Sequence, residues 1–115
     1  MTPLAALLGE LRRSRGIRQN ELASLVAVDA SYLSALESGR KGPPNSALIE
    51  RFRQELNLTD DEYRNLLTAA RYSQRRYEIP PEADPREHEL IWTIMNLVGR
   101  LRPAQITAIS EILKL

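Results

Sequence analysis

Residues 17–41 read IRQNELASLVAVDASYLSALESGRK. Two short apolar-periodic segments stand one or two residues apart in this stretch. The first places Leu22, Ala23 and Val26 at helical spacing, and the second does the same with Leu33 and Leu36. The other side of the second segment carries Ala30, Ser31, Ser34, Ala35 and Ser38. That side offers no apolar stripe for a core and no long side chain for a salt bridge. Such a helix suits close approach to something outside the chain.

The surrounding sequence extends the pattern. In PLAALLGELRRSRG, Leu4, Leu7, Leu8 and Leu11 recur at helical spacing. Pro3 suits a first turn, and Gly16 suits a left-handed cap at the end. A second helix is expected from about Gln19 to Val26. A third follows, with Asp29 as its N-cap and its end at Gly39. RKGPP reads as a loop. Asn45 or Ser46 caps a fourth helix with Leu48, Ile49, Phe52 and Leu56 inward. TDDE, Thr59 to Glu62, is a capping box opening a fifth helix, whose apolar side is read as Leu66, Leu67 and Ala70. No segment has the alternation of a strand, so the chain is all-α.

YEIPPEADPRE carries three prolines in six residues and marks a linker at 78–85. It divides a domain over 1–77 from a segment over 86–115. In REHELIWTIMNLVGRL, Leu90, Ile94, Leu97 and Leu101 form one row. Ile91, Met95 and Val98 form a second row beside it. A stripe this wide wants partners on more than one side. Pro103 starts a last short helix with Ile106, Ile109 and Leu113 in register, completing a helical hairpin. Neither helix is stable alone in water. Both either pack onto the first five helices or make a homodimer interface. The intervening linker favours the second arrangement, which assigns the two rows to contact with a second copy.

Composition bounds the function. There are no cysteines among the 115 residues and one histidine, so neither a disulfide framework nor a histidine–cysteine metal centre is available. His88 reads as a surface residue. There is no glycine-rich phosphate loop, and Asp60, Asp61 and Glu62 are accounted for by helix capping. No cofactor and no enzymatic activity are expected. No apolar run approaches the roughly 20 residues of a membrane span. The first residues place their apolar stretch before their charges, unlike a signal peptide, so a cytoplasmic protein is expected. Net charge is +1, unevenly distributed: residues 1–53 hold eight Lys/Arg against five Asp/Glu, and the remainder eight against ten. A mildly basic first half suits a polyanion.

The stretch at 17–41 resembles the helix-turn-helix of the Cro/XRE family of phage-type repressors. The residues that carry the likeness are Gln19, Leu22, Ala23, Ser31, Tyr32, Leu33, Ser34, Leu36, Glu37, Gly39, Arg40 and Lys41. It extends over residues 4–58, and nothing past 58 takes part. The likeness implies a five-helix DNA-binding domain whose third helix enters the major groove. It implies that Gln19 touches a phosphate and braces the first base-reading position. Ala30, Ser31 and Ala35 fall where relatives often have base-reading glutamines. Direct readout is then confined to the Ser31 and Ser34 hydroxyls and to alanine methyls, with DNA shape and phosphates supplying the rest. Tyr32, Arg40 and Lys41 become phosphate contacts, with Asn20 a further candidate. Arg13, Arg15 and Arg18 are expected to be exposed and within reach of the backbone. Arg12 and Glu37 fall where relatives carry an internal ion pair. Two departures stand out: Ala27 occupies the usual glycine of the turn, and Arg18 the usual Ser/Thr cap.

The function this implies is a sequence-specific transcriptional regulator, a repressor that binds an inverted repeat of double-stranded DNA as a homodimer. The alternative is a protein-interaction module, such as an antitoxin or anti-activator, built on the same scaffold.

Overall fold

The computed structural model describes residues 1–115 as seven α-helices and no strand. They are α1 (Pro3–Ser14), α2 (Gln19–Leu25), α3 (Ala30–Glu37), α4 (Ser46–Glu55), α5 (Asp60–Arg71), α6 (Pro85–Leu97) and α7 (Pro103–Ile112). The chain divides into two compact units, Met1–Tyr77 and Glu78–Leu115.

The first unit closes around one apolar core. Leu8, Leu22, Val26, Leu33, Leu36, Phe52, Leu56 and Leu66 are its fully buried side chains. α1 packs against α3 and α5, and α2 against α3. On α5 the inward stripe is Leu66, Ala69 and Ala70, continued by Ser73 just past its end, whereas Leu67 is 38% exposed. The stripe follows i, i+3, i+4 and i+7, and Leu67 lies one step, about 100°, off it. The expected inward place of Leu67 therefore belongs to Ala69.

Four helices end in the same way. The N–H of Ile17, Val28, Arg40 and Leu58 returns to the carbonyl five residues back, of Arg12, Ala23, Ala35 and Arg53. Each motif places the preceding residue in the left-handed region: Gly16 at φ 66°, Ala27 at 59°, Gly39 at 81° and Asn57 at 50°. Gly39 has a second constraint, because a Cβ there would lie 3.0 Å from the Thr2 nitrogen.

Polar contacts fix the ends of the unit. Thr2 caps α1, and Leu4 N–H donates to the buried Ser73 hydroxyl at 2.9 Å, joining the start of α1 to the end of α5. Thr59 and Glu62 form the expected capping box on α5. Arg15, expected to be free and exposed, instead donates to the Leu56 carbonyl at 2.9 Å and to Glu62 at 2.6 Å. The C-cap position of Arg15 on α1 aims it at the α4–α5 corner, where its side chain is 25% exposed and bonded within the unit. The Arg15 guanidinium, with the Thr59 backbone N–H, holds the Glu62 carboxyl well below its usual 4.5, at about 2.

The second unit is a two-helix hairpin. Asp84 caps α6 and Pro85 is its first residue, so the last proline of the expected linker belongs to the helix. α6 stops at Leu97 instead of reaching Leu101. Val98 is extended at φ −57°, ψ 131°, and Gly99 is left-handed at φ 93°. Pro103 starts α7 and keeps Arg102 extended, so a turn has to fit in the few residues between. Val98 and Leu101 thus leave the helical rows read from the sequence and sit in the turn. No residue of α6 or α7 is buried. Between the two helices runs an apolar groove of about 430 Å³, with Leu90, Ile94 and Leu97 on one wall and Ile109, Ile112 and Leu113 on the other. No helix of the chain is long and apolar enough to cross a membrane.

Candidate nucleic-acid interface

The α2–α3 pair is locked from inside. Ala23 is 2% exposed, and Val26, Leu33 and Leu36 are at 0–1%. The small Ala23 lets the two helices approach. The return bonds Ala27 N–H to Ser24 (3.2 Å) and Val28 N–H to Ala23 (2.9 Å) fix the turn between them. A rigid turn sets the angle at which α3 is presented.

The outward face of α3 is small and open. Ala30 and Ser31 are exposed, and Ser34 and Ala35 are half-exposed. Ser38 turns back on itself: its hydroxyl donates to the Ala35 carbonyl at 3.0 Å and accepts from Arg40 Nε at 2.9 Å. Asp29 occupies the N-cap position, but its side chain takes no bond from the helix N–H groups. Its exposed carboxylate therefore brings a negative charge to the start of α3.

Gln19 sits half-buried at the first position of α2, and its Nε2 lies 3.3 Å from Glu37 Oε1. Glu37 also receives Arg12, through Nε at 2.9 Å and Nη2 at 3.0 Å, and Arg12 Nη1 donates to the Ile17 carbonyl at 2.8 Å. The internal ion pair is present, and Gln19 is held by it. Arg18 and Asn20 are exposed on either side of Gln19. Arg18 has Glu21 4.0 Å away, which offsets part of its charge, and its backbone N–H donates to the same carboxylate. Asn20 Oδ1 accepts the Glu21 N–H at 3.0 Å and leaves its NH₂ outward.

Tyr32 divides between two environments. It packs partly on the core and lines an open groove with Val28, Asp29, Asn45, Leu48 and Arg51. Arg40 and Lys41 are both exposed in the loop after α3.

Two cations near this surface were invisible in the sequence pattern. Arg51 reaches the Tyr32 groove from α4. Arg75 donates from Nη1 to the Gly39 carbonyl at 2.8 Å, across a separation of 36 residues. Neither belongs to a local motif, so tertiary packing alone places them. The arrangement offers an exposed polar helix with cations at its far end, flanked by side chains able to donate to phosphate oxygens.

Residues 3–66 match the family described as "Helix-turn-helix domain". An HTH-type transcriptional regulator of Bacillus subtilis (strain 168), RghRB, itself described as uncharacterized, is 34% identical over 74 residues. The match takes in 64% of this chain and 51% of that protein, so the chain spans about half the length of the curated relative it matches. No solved structure matches the chain.

Proposed function

Because the chain belongs to the helix-turn-helix domain family, we propose that it is a sequence-specific DNA-binding transcriptional regulator, acting as a repressor on an inverted repeat. Residues 1–77 hold the DNA. The observation that carries this reading is the geometry of α3: Leu33 and Leu36 fix one side in the core while Ala30, Ser31, Ser34 and Ala35 face outward, with Arg40 and Lys41 just beyond. A helix with short outward side chains enters the major groove deeply, because nothing keeps its backbone away from the base edges. Hydrogen bonds to bases then come from the two hydroxyls, and phosphate contacts from Tyr32, Arg40, Lys41, Asn20 and Arg18. Gln19 reaches phosphate only through the NH₂ hydrogen that Glu37 does not take.

Residues 86–115 join two copies. α6 and α7 have 13 and 10 residues and no buried side chain, below the length at which helices persist unaided. Leu90, Ile94 and Leu97 with Ile109, Ile112 and Leu113 form an open apolar groove that a second hairpin fills, giving a two-fold four-helix contact. Two half-sites then lie about one helical turn, roughly 10 bp, apart. Repression follows from occupancy of a promoter.

A protein-interaction role is the second reading, favoured by the same exposed apolar hairpin and by the scarcity of base-reading side chains on α3. Selection of bound sequences from a random duplex pool separates the two. DNA regulation requires an enriched inverted repeat and an affinity that falls steeply with salt. Absence of enrichment together with a flat salt dependence excludes it.

A further inference from the structure

The loop that follows α3 carries the two exposed cations Arg40 and Lys41 between Gly39 and Gly42, and then meets Pro43 and Pro44. Residues 41–45 have no regular secondary structure, and a loop of this kind loses conformational entropy when its side chains are fixed on a ligand. One long-range side chain crosses it. Arg75 Nη1 donates to the Gly39 carbonyl at 2.8 Å. Its aliphatic stem passes the other end of the loop, with Cγ and Cδ at 3.9 and 4.0 Å from where a Cβ on Gly42 would be. A single side chain thus bonds one end of the segment holding Arg40 and Lys41 and passes close to the other.

Arg75 stands close to an anchored residue. Two residues earlier, Ser73 is 3% exposed and receives the Leu4 N–H. The turn just past α5 is therefore tied to the start of α1, and Arg75, itself exposed, follows two residues after that tie. Both residues lie past residue 66, outside the matched family region. The rest of the loop's own bonding is local: Arg40 N–H returns to Ala35, and Arg40 Nε reaches Ser38.

We propose that Arg75 is a positioning residue of the DNA interface, holding the Gly39–Gly42 loop so that Arg40 and Lys41 meet the phosphate backbone already ordered. This rests on the DNA-binding reading above. The clamp acts through the loop and not through its own contact with DNA. Its effect therefore depends on Arg40 and Lys41 being present.

The test is a double-mutant comparison on the full chain, with a mixed-sequence DNA duplex as probe and fluorescence anisotropy over a salt series. Arg75→Ala weakens binding about five- to tenfold and lowers the slope of log affinity against log salt by about 1 to 2, because the loop no longer delivers its cations. Arg75→Lys keeps a donor for Gly39 and restores most of the affinity. In an Arg40→Ala/Lys41→Ala background, Arg75→Ala has no further effect. An undiminished loss in that background overturns the clamp, since Arg75 then acts on DNA independently. An unchanged affinity for Arg75→Ala in the otherwise intact chain overturns it as well. Failure of the intact chain to bind any duplex overturns instead the DNA-binding reading beneath it.

Discussion

Arg12 and Glu37 form a two-pronged ion pair across the α1–α3 contact, with Nε 2.9 Å from Oε2 and Nη2 3.0 Å from Oε1. Their side chains are only 13% and 6% exposed. Two charges removed from water cost several kcal/mol each, and mutual attraction with extra hydrogen bonds offsets that. Here the Ile17 carbonyl and Gln19 supply the extra bonds. Glu37→Ala strands the guanidinium and should cost about 3–5 kcal/mol. Replacing Arg12 by Met and Glu37 by Leu together should cost far less, because no charge is left buried. Urea denaturation of the three proteins reads this directly. A loss below about 1 kcal/mol for Glu37→Ala would assign the pair to the surface class.

Glu62 gives the fold an acid-sensitive corner. Its carboxyl is held at about 2 against an ordinary 4.5, first by the Arg15 hydrogen bond and then by the Thr59 N–H. As pH falls, the unfolded chain takes up this proton before the folded one does. The stabilisation is complete above about pH 4.5 and is lost as pH drops towards 2. The melting temperature of the native chain should therefore fall more steeply across this window than that of Glu62→Gln. Parallel acid titrations would sink the Arg15–Glu62 link.

Ala27 holds a left-handed backbone at φ 59° in the turn between α2 and α3. A Cβ in that region costs about 1–2 kcal/mol. Glycine removes this cost but adds about 0.4–1 kcal/mol of unfolded-chain entropy. Ala27→Gly should therefore be neutral or stabilise by up to about 1.5 kcal/mol, raising the thermal midpoint. Clear destabilisation would mean that the turn does not need φ > 0.

Leu97 lines the open groove of the hairpin at 37% exposure. Leu97→Glu puts a charge into the surface assigned to a second copy, where it would be desolvated without a partner. The full chain should then sediment as a monomer and lose most of its affinity for a two-half-site duplex, since linked half-sites gain from effective concentration. A chain ending at Tyr77, the boundary of the first unit, should stay folded and behave the same way. Sedimentation equilibrium decides this: a monomer for the intact chain at micromolar concentration removes the dimer, and an unfolded truncation returns the hairpin to the main core.

Helix starts and stops were legible where their causes are local. Pro3, the Thr59–Glu62 box, Gly16 and Gly39 act within four or five residues of themselves, and the structure places each as their chemistry dictates. The inward residues of α2 to α4 followed from helical periodicity, because one apolar face per helix leaves one way to bury it; on α1 Leu4, Leu8 and Leu11 are buried as read, whereas Leu7 is half-buried and Ala5 is buried in addition. Periodicity failed on α5, where Leu67 and Ala69 are adjacent candidates, and at the end of α6, where the spacing continues through Gly99 but the helix does not.

The candidate interface divides in the same way. The sequence by itself determined the small outward face of α3 and the basic pair after it, since both are contiguous in the chain. Only the tertiary structure decided which cations are free. Arg15 is taken by Leu56 and Glu62, 41 and 47 residues away, and Arg75 reaches Gly39 across 36. Ser73 receives Leu4 across 69. Such bonds have no period and no local signature, because they form between groups that the core brings together. A guanidinium on a surface-like position reads the same in sequence whether it faces water, a carbonyl or a phosphate.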